Sequence, residues 1–317
     1  LPIIFEETGN ENEYLANGIT HSLISDLSQI SDKDLAYVNQ DPRLRPFYKY
    51  DTNLNEFETV IKDKQADKTD RRLLSSVLKK QYDNFNVSES TAKNIKLLED
   101  ENTCTVITAH QPSLFTGPSY FIYKICSVLN LAKQLNTKFE GKHIVPIFIT
   151  GGEDHDFEEI SSTSIFGKKI TWKNSKGGSV GKLDNGSLTD VLAELKEILG
   201  DRPIAAEIYS TIDTAFTKFK TYGEGMRYLV NELFGSYGLV VADMSDAALK
   251  ASFIPIIEKE IFDRESVNYI QATVEKLEAA NKIAAEKQLI KAGKKDRKTR
   301  RQKAQETLNF EEFIVFN

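Results

Sequence analysis

Two apolar runs, each followed by a polar, glycine-bearing loop and then by residues at helical spacing, constrain this chain more than any other feature. The first lies in CTVITAHQPSLFTGPSYFIYKICSVLNLAKQL, Cys104 to Leu135, and the second in HIVPIFITGGEDHDFEEI, His143 to Ile160. Short strands alternating with helices predict an α/β fold built on a parallel sheet. In such sheets ligands gather at the carboxyl ends of the strands. A third run, Leu239 to Ala242, ends in Asp243 and so directs another carboxylate to the same edge. Ser245 is the expected cap of a helix running on toward Phe262.

The two loops carry the candidate chemistry. In the first, strand Thr105 to Thr108 leads into AHQPSLFTGP, which Pro112 and Pro118 stiffen and where Gly117 permits a tight backbone. Ser119 is the expected cap of a helix from Tyr120 to Gln134, with Ile122, Ile125, Cys126, Leu129 and Ala132 on its apolar side. Gly117, Pro118 and Ser119 then lie where free amides and the positive end of a helix dipole attract an anion. The loop is neither a Walker sequence nor GxGxxG, and a purely structural loop is the alternative.

The second loop holds Glu153, Asp154, His155 and Asp156 in unbroken succession. Four ionisable residues in a row are not buried cheaply, so some must face a cavity, a partner or a metal. His155 suits general acid or base work with Asp154 or Asp156 orienting its ring. Carboxylates beside a histidine also suit a divalent cation. The plainer reading is a helix start whose acids complement the dipole.

Around this centre the chain is ordinary in composition. With 317 residues it can bury a large core, and a net charge of −6 gives no reason to expect nucleic acid. No apolar run approaches membrane-helix length, and Leu1 opens no signal-peptide pattern, so a cytoplasmic location is expected. Cys104 and Cys126 read as buried free thiols.

Residues 1–100 read as a mainly helical region packing on the core. Ser31 with Asp34 caps a short helix, Thr69 or Asp70 caps one over residues 69–83, and Ser88 caps another. Arg43 and Arg45 are available to an anion or to solvent. Residues 101–280 form the core, with a β/α insert at about 161–235. Within it Thr171 to Lys173 reads as a strand, Gly177 to Gly181 as a turn, and Leu188–Leu199, Thr211–Phe219 and Gly225–Phe234 as helices. Residues 281–317 differ: ten Lys/Arg between Lys282 and Lys303 face only Glu286 and Asp296. That segment reads as an arm for RNA or an acidic surface, a frayed helix or a disordered tail.

The blocks TAHQPSLFTGPSYFIYK and EDHDFEEI, with LRPFYKY at Leu44 to Tyr50 and RYLVNELFGSYGLVVADMSDAALK at Arg227 to Lys250, resemble the cysteine-adding BshC family of bacillithiol biosynthesis. The resemblance implies a Rossmann-like core with inserted connecting segments, and a coiled coil that makes a homodimer. The implied reaction is a carbon–nitrogen ligation joining cysteine to glucosaminyl-malate, with ATP or ADP as nucleotide and no metal. Carried over by position, Thr108, His110, Gln111, Thr116, Gly117 and Pro118 form the first loop of the active crevice, and Glu153, Asp154, His155 and Asp156 the second. Ala109, Gly151 and Gly152 depart from the family pattern without removing a functional group. After Leu277 the chain also departs from it, so truncation or a changed reading frame after about residue 280 is expected, with the coiled coil missing. A metal-dependent hydrolase or nucleotidyltransferase using residues 153–156, and a non-catalytic nucleotide-binding module, are the competing functions.

Overall fold

A computed structural model describes residues 31–291. Its contacts divide the described chain into two units, residues 53–253 and residues 31–52 together with 254–291.

The first unit opens with helices α1 (Phe57–Ala66), α2 (Arg71–Gln81) and α3 (Glu89–Leu97). Asp70 caps α2 by accepting the Leu73 amide, and Ser88 caps α3 by accepting that of Thr91. From α2 and α3 and the residue after α3, Leu78, Ile95 and Leu98 enter the main core, while Ile61 of α1 joins a smaller cluster with Ala132, Leu135 and Ile144. Strand β1 (Thr103–His110), helix α4 (Tyr120–Lys138) and strand β2 (His143–Thr150) follow as one β–α–β unit. The strands are parallel and in register from Thr103 opposite His143 to His110 opposite Thr150. Strand β2 is central and almost wholly buried, which is why it reads as a continuous apolar run.

Helix α4 buries Phe121, Ile125, Val128, Ala132 and Leu135. The apolar stripe is therefore turned from the one expected through Ile122, Cys126 and Leu129, because Phe121 packs on Phe148 of the central strand. Cys126 is exposed and Cys104 half-buried; both are free, so neither is the fully buried thiol that composition suggests.

The insert begins with α5 (Phe157–Ile160) and a hairpin of β3 (Ser162–Ile165) and β4 (Lys168–Thr171). Phe166 and Gly167, both at positive φ, make its two-residue turn. The expected strand at Thr171 to Lys173 thus lies earlier. Trp172 instead leaves the hairpin, donates its amide to Ser161 and is buried. Helices α6 (Thr189–Leu199), α7 (Pro203–Lys218) and α8 (Tyr222–Phe234) complete the insert. Helix α7 starts well before the expected Thr211, with Pro203 in its first turn, and Thr221 with Glu224 forms a capping box on α8.

Strand β5 (Val240–Ala242) returns parallel to β2, giving the order β1-β2-β5. Its outer edge is closed by a side chain: the Val241 amide donates to the Tyr82 hydroxyl at 2.7 Å. Burial there pushes the Tyr82 phenol up to about 12. Helix α9 (Ala247–Ser252) ends the unit, capped by Asp246 rather than Ser245, whose amide donates to Asp243 instead. The long helix expected to run toward Phe262 is interrupted after Ser252, where Pro255 supplies no N–H for continuation.

In the second unit Ser31 and Asp34 form the expected capping box on a helix over Asp32–Val38. Arg43 pairs with Asp41 at 2.5 Å and holds its carboxyl down at about 2. Arg45 bonds the Tyr48 and Lys49 carbonyls and pairs with Asp51, so both arginines are engaged locally. Helices α10 (Ile254–Asp263) and α11 (Glu265–Lys291) expose Ile257, Ile261, Phe262, Tyr269 and Ile270. The basic run expected from Lys282 continues α11 to Lys291, and its remainder lies outside the described residues. No helix of the described residues is long and apolar enough to cross a membrane.

Candidate active site at the carboxyl ends of the strands

The loop after β1 stores backbone strain. Phe115 and Thr116 lie at φ 52° and 70°, followed by Gly117 at 53°. A Cβ on Gly117 would come within 2.5 Å of the Ser113 Cβ, so glycine is required for both shape and space. Phe115 is anchored by burial against Phe216 of α7. Two non-glycine residues held at positive φ mark a loop whose shape its surroundings impose.

The Ser119 side chain makes no capping bond, contrary to expectation. The first turn of α4 therefore keeps the amides of Ser119 and Tyr120 without a protein acceptor among the described residues. Lys124, which sequence reasoning passed over, adds a cation here by donating to the Ala109 carbonyl at 3.2 Å.

His110 is only 8% exposed and has both ring nitrogens engaged. Nδ1 faces the Gln111 carbonyl at 2.8 Å, and Nε2 faces the Tyr120 hydroxyl at 2.7 Å. A carbonyl only accepts, so Nδ1 carries a proton, and in the neutral ring Nε2 accepts from Tyr120. His110 thus orients Tyr120 and offers no free nitrogen to a ligand. Thr108 and Thr116 are half-buried, and Pro118 is exposed.

The loop after β2 joins the first through one amide. Gln111 Nε2 donates to Asp154 Oδ2 and to Glu159 Oε2, each at 2.7 Å. The Gly151 amide also donates to the His110 carbonyl at 2.9 Å. The Asp156 amide, then Gln111, hold the Asp154 carboxyl below the usual carboxylate range. Asp156 caps α5 by accepting the Glu159 amide, which is the plain helix-start role. With Asp156 and Asp154 so committed, neither hydrogen-bonds the His155 ring, contrary to expectation. That ring is exposed and makes no hydrogen bond among the described residues. Nor do three or more His, Cys, Asp or Glu among the described residues group so as to hold a metal ion. Consecutive ligands on one turn point apart.

The third strand brings two more groups. Glu153 is ion-paired with Lys250 of α9, a residue sequence reasoning did not single out. Asp243 is clamped through its backbone by Gln81, which donates to its carbonyl at 2.7 Å and accepts its amide at 2.9 Å. Gln81 in turn accepts from Arg227, buried over the Phe85 ring.

The insert braces both loops. A chain of ring contacts runs from Phe157 beside the acidic loop through Trp172, Tyr222 and Phe216 to Phe115 in the strained loop. Gly152 and Gly181 meet backbone to backbone, the Gly181 amide donating to the Gly152 carbonyl at 2.7 Å. A Cβ on Gly181 would stand 2.8 Å from that oxygen. An open recess of about 530 Å³ adjoins the acidic loop, between Phe157, Glu158, Trp172 and Asn174.

A family model described as "Bacillithiol biosynthesis BshC, N-terminal Rossmann-like domain" matches residues 24–310. Curated relatives named "Putative cysteine ligase BshC" include one from Flavobacterium psychrophilum, 40% identical over 244 residues, which are 76% of this chain and 46% of that protein. A Flavobacterium johnsoniae relative is 39% identical over 76% of this chain and 46% of its own length. One from Bacillus mycoides is 30% identical over 71% and 43%. The chain thus spans about half the length of the curated relatives it matches.

Proposed function

This chain belongs to the BshC family of bacillithiol biosynthesis, and from that premise we propose that it forms the Rossmann-like part of a ligase joining the carboxyl group of cysteine to an amine. The observation that carries the reading is Gln111, which ties the loop after β1 to two carboxylates of the loop after β2. The parallel order β1-β2-β5 sets the third strand's end at the same edge, where α/β proteins bind ligands.

The amine partner proposed is glucosaminyl-malate. The exposed carboxylates after β2 suit an incoming ammonium group, and the free His155 ring takes its proton as the nitrogen becomes nucleophilic. Asp154 stays ionised beside it, since the groups that depress its titration stabilise the charged form. The uncapped amides of α4 and Lys124 suit phosphate or the malate carboxylates. When bound, ATP would supply the activation that amide formation requires.

Incubation with ATP, cysteine and glucosaminyl-malate, followed by mass spectrometry, should reveal bacillithiol, and His155→Ala should abolish it. Absence of product beside an active relative would overturn the activity for this chain. Unchanged product with His155→Ala would remove that residue from the chemistry.

A further inference from the structure

The amino ends of the strands, opposite the edge just described, border a concavity of about 270 Å³ between α3, the start of β2 and the turn before β5. That is just below the roughly 300–1,000 Å³ of ordinary ligand clefts. Its lining contains no carboxylate, although the whole chain carries −6. Two polar side chains in it are committed to the protein. Asn136 donates to the Ala132 and Ile144 carbonyls and accepts the Ile144 amide. Asn94 donates to the Gly238 carbonyl at 2.6 Å. Gly238 sits at φ 84°, and a Cβ there would stand 2.8 Å from the Asn94 nitrogen.

What remains uncommitted is donor chemistry. The Lys93 ammonium, the His143 ring, and the Ser90 and Tyr237 hydroxyls make no side-chain hydrogen bond or ion pair among the described residues. Leu97, Ile144 and Val145 supply apolar wall, and Tyr237 is 72% exposed. An acid-free hollow with one cation and several neutral donors selects an anion. A phosphate monoester offers three terminal oxygens where a carboxylate offers two, and so matches these donors better. The apolar wall and the open tyrosine ring suit a planar group on the same ligand.

We propose that this pocket binds a small, ring-bearing phosphate monoester, its phosphate held by Lys93, His143 and Ser90 and its ring lying by Tyr237. The proposal does not depend on the ligase reading, since it uses none of those residues.

Titration of phenyl phosphate, benzoate and inorganic phosphate, followed by calorimetry and amide chemical shifts, tests it. Phenyl phosphate should bind saturably and more tightly than either other probe. Lys93 is exposed, so Lys93→Glu leaves the core intact and should weaken phenyl phosphate at least about tenfold. Tyr237→Ala should narrow its advantage over inorganic phosphate, and His155→Ala should change nothing. No binding to the unaltered chain, equal binding of benzoate, an unchanged affinity in Lys93→Glu, or an equal loss in His155→Ala would each overturn it.

Discussion

At the carboxyl ends of β1, β2 and β5 the charged groups are mostly acids: exposed Glu153, Asp156, Glu158 and Glu159, with Asp154 half-buried among them. Three of them are held from other parts of the chain, Asp154 and Glu159 by Gln111 and Glu153 by Lys250. At the amino ends the free groups are donors, and the structural bonds run from α3 and α4 side chains to backbone, those of α3 across 144 to 148 residues. Thr91 reaches the Gly235 and Leu239 carbonyls, Asn94 that of Gly238, and Asn136 brackets Ile144. One sheet therefore presents opposite chemistry at its two edges. The difference lies in support: the carboxyl end depends on an inserted segment of aromatic residues, and the amino end on helix side chains that cap its turns.

Breaking that support should cost most at the carboxyl end. Trp172→Ala removes the buried link between the Phe157 and Tyr222 rings and should destabilise the fold by about 3–5 kcal/mol, measured by denaturant unfolding. A loss under about 1 kcal/mol would mean the insert does not brace the site. Gly117→Ala forces a side chain onto a positive φ against Ser113 and should cost about 1–3 kcal/mol from the backbone alone, together with any ligand affinity of that loop. Asn136→Ala strips the amide and carbonyl of Ile144 at the other edge and should cost about 1–3 kcal/mol while sparing ligase activity. Equal activity loss in this variant would erase the distinction between the edges.

Two finer measurements sharpen the contrast. Gln111→Leu should lower ligase activity about tenfold and raise the Asp154 titration midpoint, read by carboxyl carbon NMR. Because the folded-state value is depressed, the stabilising contribution of Asp154 is present above its unfolded value and lost as pH falls through the folded one. An unmoved midpoint would show that Gln111 does not set it and that the Asp156 amide and His155 do. Tyr82, raised to about 12 by burial, works in the opposite direction. Its contribution is complete below the unfolded phenol value and lost as pH rises through the folded one. Tyr82→Phe should remove this alkaline sensitivity and orphan the Val241 amide, a cost of about 1–2 kcal/mol in unfolding experiments near neutrality.

By itself the sequence determined the parallel strands, the crossover helix between the first two, and several caps. Those features depend on residues within a few positions of one another: Asp70 with Leu73, Ser88 with Thr91, Ser31 with Asp34. It also placed both loops at the strand ends, because an apolar run followed by glycine and acids is legible locally. The resemblance to the family rested on the same blocks. The tertiary structure decided which face of α4 is buried, and so left Cys126 exposed. It moved the capping of α9 from Ser245 to Asp246, and it engaged both nitrogens of His110 inside the protein. It also gave one glutamine two carboxylates 43 and 48 residues away, and paired Glu153 with a lysine beyond the third strand. Such contacts have no local signature, because burial and long-range hydrogen bonding depend on what the rest of the chain brings within reach.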